Sequence, residues 1–324
     1  MGKVLTIGEA MGMFIANNEG ELKHNREYTL FAAGAEMNVS IGLSRLKHDV
    51  TYITQLGKDP FGEFIYDSLE KEGINTSLVK MTSDHFTGFQ IKSRDNINDP
   101  EVVYFRKDSA ASNLNSQIIE SIEFNKFDVL HLTGIFMALS TETYELTRAL
   151  IDKARQANIV ITFDPNLRPV LWNSDKEMID GINRIASKVD YVLPGLEEGR
   201  ILTSMKDKKD IVDFYIKKGV KGVIIKDSHN GAYAKWWEDD QLEELYSFAF
   251  PVPKKVDTVG AGDGFAVGVI SGIIEKLSME ETLERANAIG AIQVSHISDN
   301  ENLPIHEELA DFISNRRMIR GESR

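Results

Sequence analysis

The chain has 324 residues, 42% of them hydrophobic, enough for a large buried core. Its formal net charge of −13 argues against a nucleic-acid or anionic-membrane surface, and an anionic ligand would need locally placed cations. There is no cysteine, which excludes a disulfide framework, a thiolate metal site and a thiol nucleophile.

Met1 to Gly8 reads as a short buried strand rather than a signal peptide. From Met13 to Leu30 the polar turn residues Asn17-Asn18-Glu19-Gly20 separate two extended pieces, as in a hairpin. Gly34 opens a helix with apolar positions at Val39, Ile41, Leu43 and Leu46. Val50 to Leu56 is a strand, and Asp59-Pro60 pairs a cap with a proline at the first position of a helix running to about Gly73. Phe86 to Ile91 and Glu101 to Phe105 form a second pair of strands around Asp95–Pro100.

From Phe127 onward strands and helices alternate. Strands are expected at Val129–Leu132, Ile159–Phe163, Tyr191–Leu193 and Val223–Lys226, with more strand text between Ala232 and Phe250. Helices are expected over Ser140–Ala157 and after the capping boxes at Ser174–Glu177 and Ser278–Glu281. The apolar run Phe265–Ile274 is too short to span a bilayer and reads as a buried helix. Such alternation implies a doubly wound, mainly parallel α/β sheet with helices on both faces. The two early inserts, 13–31 and 86–107, break the pattern and are expected to form a small β lid, leaving 1–12, 32–85 and 108–324 as the core. These features point to a soluble, cytoplasmic protein.

Asp257-Thr258-Val259-Gly260-Ala261-Gly262-Asp263 reads as a turn feeding a helix. Glycines here permit a tight bend and close approach, and the helix start presents unpaired N–H groups to an anion. Asp263 beside them can serve as a base, and the same residues can equally make an ordinary capped turn. Tyr104 and Arg106 share one face of a strand, a pairing suited to a hydroxylated acid or to a solvated edge. Asp164-Pro165-Asn166-Leu167-Arg168 follows a buried strand, at the end of the sheet where open α/β folds bind ligands. No Walker-type loop, dinucleotide fingerprint after Ile7, nucleophile elbow or zinc-ligand spacing among the histidines occurs.

The string from Asp257 to Asp263 resembles the signature of the ribokinase-like (PfkB) carbohydrate kinases, Asp-Thr-x-Gly-Ala-Gly-Asp. The resemblance covers essentially the whole chain. Gly34-Ala35-Glu36-Met37-Asn38-Val39 and Tyr104-x-Arg106 are similar to the 2-keto-3-deoxygluconate kinase branch of that family. The resemblance implies ATP-dependent phosphorylation of the terminal (6-) hydroxyl of a sugar acid, with Mg²⁺ bridging the phosphates. It assigns Asp263 as the base and Gly260, Ala261 and Gly262 as the anion hole. Gly34, Asn38, Gln90, Tyr104, Arg106, Arg168 and Asp299 would face the sugar. Asn166, Arg168, Lys226, Ser228, Gly231, Gly260, Gly262 and Asn287 would face ATP, and Glu198 the metal.

Some positions depart from the family pattern. Ala33 replaces a glycine, and Gly195 replaces the asparagine of the magnesium motif. Asp227 and Ser228 replace a Leu-Gly pair. Glu36 stands where fructokinase-like members carry proline and is assigned a structural polar contact. Two other readings stay open: a fructokinase-like or nucleoside kinase of the same family, and a non-catalytic sugar-binding regulatory protein. The exposed strand edges of the lid imply a homo-oligomer.

Overall fold

The computed structural model describes residues 1–94, 100–252, 260–295 and 299–320, with backbone only over 316–320. The chain opens with β1 (Lys3–Ile7), then β2 (Met11–Glu19) and β3 (Tyr28–Ala33). Next come α1 (Ala35–Arg45), β4 (Asp49–Gly57), α2 (Pro60–Lys71) and β5 (Val79–Thr82), and then β6 (Phe89–Arg94) and β7 (Val102–Phe105). Strictly alternating units follow: β8 (Val129–Thr133), α3 (Thr141–Gln156), β9 (Val160–Asp164), α4 (Asp175–Ala186), β10 (Tyr191–Val192). Two helices, α5 (Leu196–Thr203) and α6 (Lys208–Ile216), lead to β11 (Gly222–Lys226), β12 (Gly231–Glu238) and β13 (Gln241–Phe248). The last helices are α7 (Ala261–Glu275), α8 (Met279–Gln293) and α9 (His306–Arg320).

Nine strands form one sheet in the order β13-β12-β11-β10-β9-β8-β1-β4-β5. The strands from β11 to β5 pair in parallel, and near the other edge β12 runs antiparallel to both of its neighbours, β11 and β13. The parallel strands are apolar on both faces, as burial on both sides demands. Leu5 and Ile7 face a cluster built with α3, α4 and α6, whereas Val4, Val50 and Tyr52 face one built with α1, α2, α7 and α8. The chain winds from β1 to β4 and β5 in one direction and from β8 to β11 in the other, so the winding reverses between β1 and β8. The carboxyl ends of strands at such a reversal leave a crevice for ligands.

The remaining four strands form a separate sheet, β3-β2-β6-β7. Two segments distant in sequence meet there: β2 pairs with β3 antiparallel and with β6 in parallel. One face carries Met13, Gln90, Lys92 and Tyr104 toward a cavity. On the other, Phe89 stacks on Phe105, while Phe14 meets Phe61 of α2 and Phe89 edge to face and Phe61 tilts against Phe89.

Most expected elements are present within a residue or two. Ser278 and Glu281 form a full capping box, whereas Ser174 caps α4 through the Glu177 amide only. Glu177 instead accepts from Asn173, which draws its carboxylate away from the backbone. Beyond the expected elements a further helix, α9, follows α8; among its described side chains Leu309 is buried and Phe312 lies against Phe250. The turn at 95–99, the extended piece at Val256 and the residues Asp257, Thr258 and Val259 lie outside the described residues.

Asp59 ties the small sheet to the core. One carboxylate oxygen accepts from Phe61 N (3.1 Å) and Gly62 N (2.9 Å), capping α2, and the other accepts from Thr87 N at 2.7 Å, just before β6. Asp59→Ala is therefore expected to cost about 1–2 kcal/mol, the usual worth of a helix cap. Calorimetry would show a melting point lower by a few degrees, and an unchanged one would mean that water replaces these bonds without loss.

Candidate active site

α7 begins in a turn that only glycine fits comfortably. Gly260 has φ 80°, and a Cβ there would lie 2.5 Å from the Asp299 carbonyl oxygen. The N–H of Gly264 closes the first helical bond on Gly260 O at 2.9 Å. The amides of Ala261, Gly262 and Asp263 precede it and have no carbonyl four residues back within the helix. They form the positive end of a 15-residue helix. Glycine also sets where that end sits: a Cβ at Gly268 would lie 2.3 Å from Ala286 Cα, so α7 and α8 pack backbone to backbone.

Two cavities meet at this helix end. One, of about 370 Å³, lies beneath the small sheet and is lined by Gly34, Asn38, Gln90, Tyr104, Arg106, Asn166, Arg168, Gly260, Asp263 and Asp299. The other, of about 530 Å³, is lined by Ser228, Gly231, Phe250, Ala261, Asn287 and Val294. Lys226 and Gly262 line both. The residues expected at the sugar all line the smaller cavity. Of those expected at ATP, Ser228, Gly231 and Asn287 line the larger one, Asn166, Arg168 and Gly260 the smaller.

Asp263 is half-buried at the junction, and its Oδ2 accepts from Asn38 Nδ2 at 2.8 Å. Burial pushes its pKa up to about 7; Asn38 and Lys226 work against this, and Asp164 and Asp299 add to it. A carboxylate poised near neutrality beside an anion-binding helix end can take a proton from a hydroxyl. Lys226 donates to Asp164 Oδ2 at 2.6 Å. Burial opposes its charge, but Asp164 and Glu198 outweigh that and raise its pKa.

The smaller cavity holds cations on several sides. Arg106 reaches Glu9 Oε2 through Nε at 2.7 Å, and Ser109 donates to Glu9 Oε1 at 2.5 Å. Its guanidinium lies 5.6 Å from the centre of the Tyr104 ring, which fits their shared strand face. Arg168 is half-buried and donates to Leu167 O at 2.9 Å. Lys92, from the small sheet, lies 3.8 Å from Asp299 of the core. Gln90 is buried beside Tyr104, its cross-strand partner. Gly34 has φ 145° and would place a Cβ 2.5 Å from Glu9 O, so α1 starts directly against the end of β1.

Glu36 accepts from the Thr133 hydroxyl, the structural contact expected of it, and burial pushes its pKa up to about 7. Asn38 lines the smaller cavity and is also bonded within the protein. Its amide nitrogen goes to Asp263 and its oxygen accepts from Asn300 Nδ2 at 2.8 Å.

In the larger cavity, Asn287 donates to Ser247 Oγ at 3.1 Å, which leaves its carbonyl oxygen as an acceptor. Ser228 and Gly231, with φ of 51° and 122°, shape the loop after β11. Glu198 lines neither cavity among the described residues. Its oxygens accept from Leu167 N and Gly195 N, both at 2.7 Å, and so clamp the Asp164–Arg168 turn to α5. No group of three potential metal ligands is found among the described residues, and none of their helices is long and apolar enough to cross a membrane.

Two charged residues of the smaller cavity, Glu9 and Lys92, and Asn300 behind it went unread in the sequence. Glu9 had a signal, an acid at the carboxyl end of the first buried strand. Lys92 alternates with Gln90 on a strand and could have been paired with it.

Residues 1–306 match a family model described as pfkB family carbohydrate kinase. A 2-dehydro-3-deoxygluconokinase of Bacillus subtilis (strain 168) is 42% identical over 97% of this chain and 96% of its own. A crystal structure of a PfkB protein from Polaromonas sp. JS666 superposes with a TM-score of 0.87 at 38% identity, covering 96% of this chain and 99% of that one. A crystal structure of a 2-dehydro-3-deoxygluconokinase from Thermotoga maritima has the same fold, with a TM-score of 0.83 at 23% identity, covering 97% of this chain and 98% of that one.

The raised pKa of Asp263 has a thermodynamic consequence. The fold favours the neutral acid, so the stability this group contributes is full below its ordinary pKa of 3.8 and is lost as pH rises through about 7. An amide in its place would be neutral throughout. Asp263→Asn is therefore expected to melt above the wild type at about pH 8, with the gap narrowing toward about pH 5. A gap independent of pH would mean that burial does not hold this carboxyl up.

Proposed function

The chain belongs to the pfkB family of carbohydrate kinases, and we propose that its reaction is the ATP-dependent phosphorylation of 2-dehydro-3-deoxygluconate (2-keto-3-deoxygluconate) at its terminal hydroxyl, giving the 6-phosphate. The observation that carries this reading is the meeting of two cavities at Gly262 and Lys226, with Asp263 beside them in the smaller one. The larger cavity suits a nucleotide, with Asn287 offering a carbonyl to an exocyclic amine. The smaller suits a compact acid with several hydroxyls.

In the reaction Asp263 takes the proton of the terminal hydroxyl, and the oxygen so freed attacks the γ-phosphorus. The bond from that phosphorus to the bridging oxygen of ADP breaks. The amides of Gly260, Ala261 and Gly262 and the Lys226 ammonium hold the charge on the moving phosphoryl group. When bound with the nucleotide, magnesium would supply charge neutralisation at the phosphates. The donor set suits a hydrated ion held mainly by phosphates: no group of three potential ligands is found among the described residues, and Glu198, whose oxygens each accept one backbone amide, keeps lone pairs that could take a water of that ion. A cytoplasmic setting agrees with the use of ATP.

The substrate carboxylate would lie between Arg168 and Arg106. Arg106→Ala is a poor probe, because it strands the fully buried Glu9 without its cation. Arg168→Ala removes a half-buried cation instead. It is expected to cost a charged hydrogen bond, about 1.5–3 kcal/mol, or roughly one to two decades in kcat/KM for the sugar acid. A coupled ADP-release assay over sugars and sugar acids would show this. A wild type that prefers a neutral sugar such as fructose would sink the assignment, and no turnover on any sugar would favour a regulatory binder.

The small sheet would act as a lid that excludes water. Its outward face leaves Val103 and Phe105 exposed on the edge strand β7. Covering that face with a second copy's lid would make the enzyme at least a dimer. Sedimentation is expected to show a dimer or larger at micromolar protein, and Phe105→Glu should shift it toward monomer. A wild-type monomer would refute the pairing.

A further inference from the structure

The base is held by an asparagine whose orientation is itself set from outside the cavities. An asparagine amide can face a neighbour with either end, and only the nitrogen end favours a carboxylate. The orientation of Asn38 is settled by its other neighbour. Asn300 Nδ2 donates to the main-chain carbonyl of Ala32 at 2.9 Å, and a carbonyl can only accept. The second hydrogen of the same nitrogen goes to Asn38 Oδ1 at 2.8 Å. Asn38 must then turn its own nitrogen to Asp263, which it does at 2.8 Å.

Asn300 is in turn fixed by Arg45. Its Nη1 donates to the carbonyls of Asn300 (3.1 Å), Glu301 (2.8 Å) and Leu303 (2.9 Å). Arg45 is clamped by Glu72 through two parallel bonds of 2.9 and 2.7 Å. A continuous set of directional bonds thus runs from the end of α2, through the end of α1 and the 300–303 segment, to Asp263. Asn300 lines neither cavity, so it touches neither sugar nor nucleotide at the sites proposed above.

We propose that Asn300 is a positioning residue for phosphoryl transfer: it forces Asn38 to present its amide nitrogen to Asp263 and so keeps the base aimed and ready to ionise. The proposal rests on the reading of Asp263 as the base. Without Asn300, Asn38 is free to turn its oxygen toward the carboxylate. The ionised form of Asp263 then loses a donor, and its titration moves to higher pH.

The test uses the full-length enzyme and whichever sugar or sugar acid it phosphorylates. Asn300→Leu, close in size but without donors, is expected to move the acid limb of kcat/KM up by roughly one pH unit. At neutral pH kcat should fall roughly tenfold, with KM for ATP little changed. Asn300→Ala, which only removes atoms, serves if the leucine variant does not fold. In an Asn38→Ala background the Asn300 substitution should have no further effect on either quantity.

An acid limb that stays in place, or an equal loss with and without Asn38, would overturn the role of Asn300 while leaving the base standing. Near-normal turnover by Asp263→Asn would remove the base itself, and the positioning role with it.

Discussion

The site depends on one carboxylate being held where burial works against its charge. As the proposed base, Asp263 would need to be neutral often enough to be tolerated and ionised often enough to act. The structure meets both needs by placing it at the amino-terminal end of α7, within reach of one amide donor and near one cation. Everything that brings α7 to that spot contributes. The tight packing of α7 on α8 through Gly268 fixes the axis, and the left-handed Gly260 lets the chain enter it under the Asp299 carbonyl. A larger residue at either point would move the helix end, and with it the amides and the base together.

Charge in this acidic chain is managed by local pairing. The cavity walls carry Glu9, Glu36, Asp263 and Asp299 as well as Lys92, Arg106, Arg168 and Lys226. Lys226 is committed to Asp164 and Arg106 to Glu9. Such buried pairs contribute little net stability, since desolvation offsets their attraction, but losing one partner is costly. Their value lies in aim. Glu9 fixes the plane of the Arg106 guanidinium, and Asp164 fixes the reach of Lys226, before any ligand arrives.

Much of this was legible in the sequence where the chemistry is local. The Asp59-Pro60 start of α2, the alternation after Phe127 and the Gly-Ala-Gly-Asp entry to α7 each rest on neighbours a few residues apart. The unread parts rest on partners far apart. Asn38 and Asp263 are 225 residues apart, and Glu9 and Arg106 are 97. Nothing in the text around Asn38 says that its nitrogen donates to a carboxylate so far along the chain. The two hairpin-like inserts were visible as such, but their joining through a parallel β2–β6 pair was not, because a parallel partner leaves no local trace. α9 escaped notice because, over its described side chains at 306–315, only Leu309 is fully buried.

The way the small sheet is joined has a mechanical side. A hairpin flap hangs from two chain crossings and can swing or fray independently of its neighbours. This sheet is woven from two separate segments and is attached to the core at four crossings, next to Ala10, Gly34, Gly88 and Arg106. A plate mounted at four points resists twisting. Four mounts sharing the strain would leave it little more than a shallow tilt, so a sheet acting as the proposed lid would move as one stiff piece.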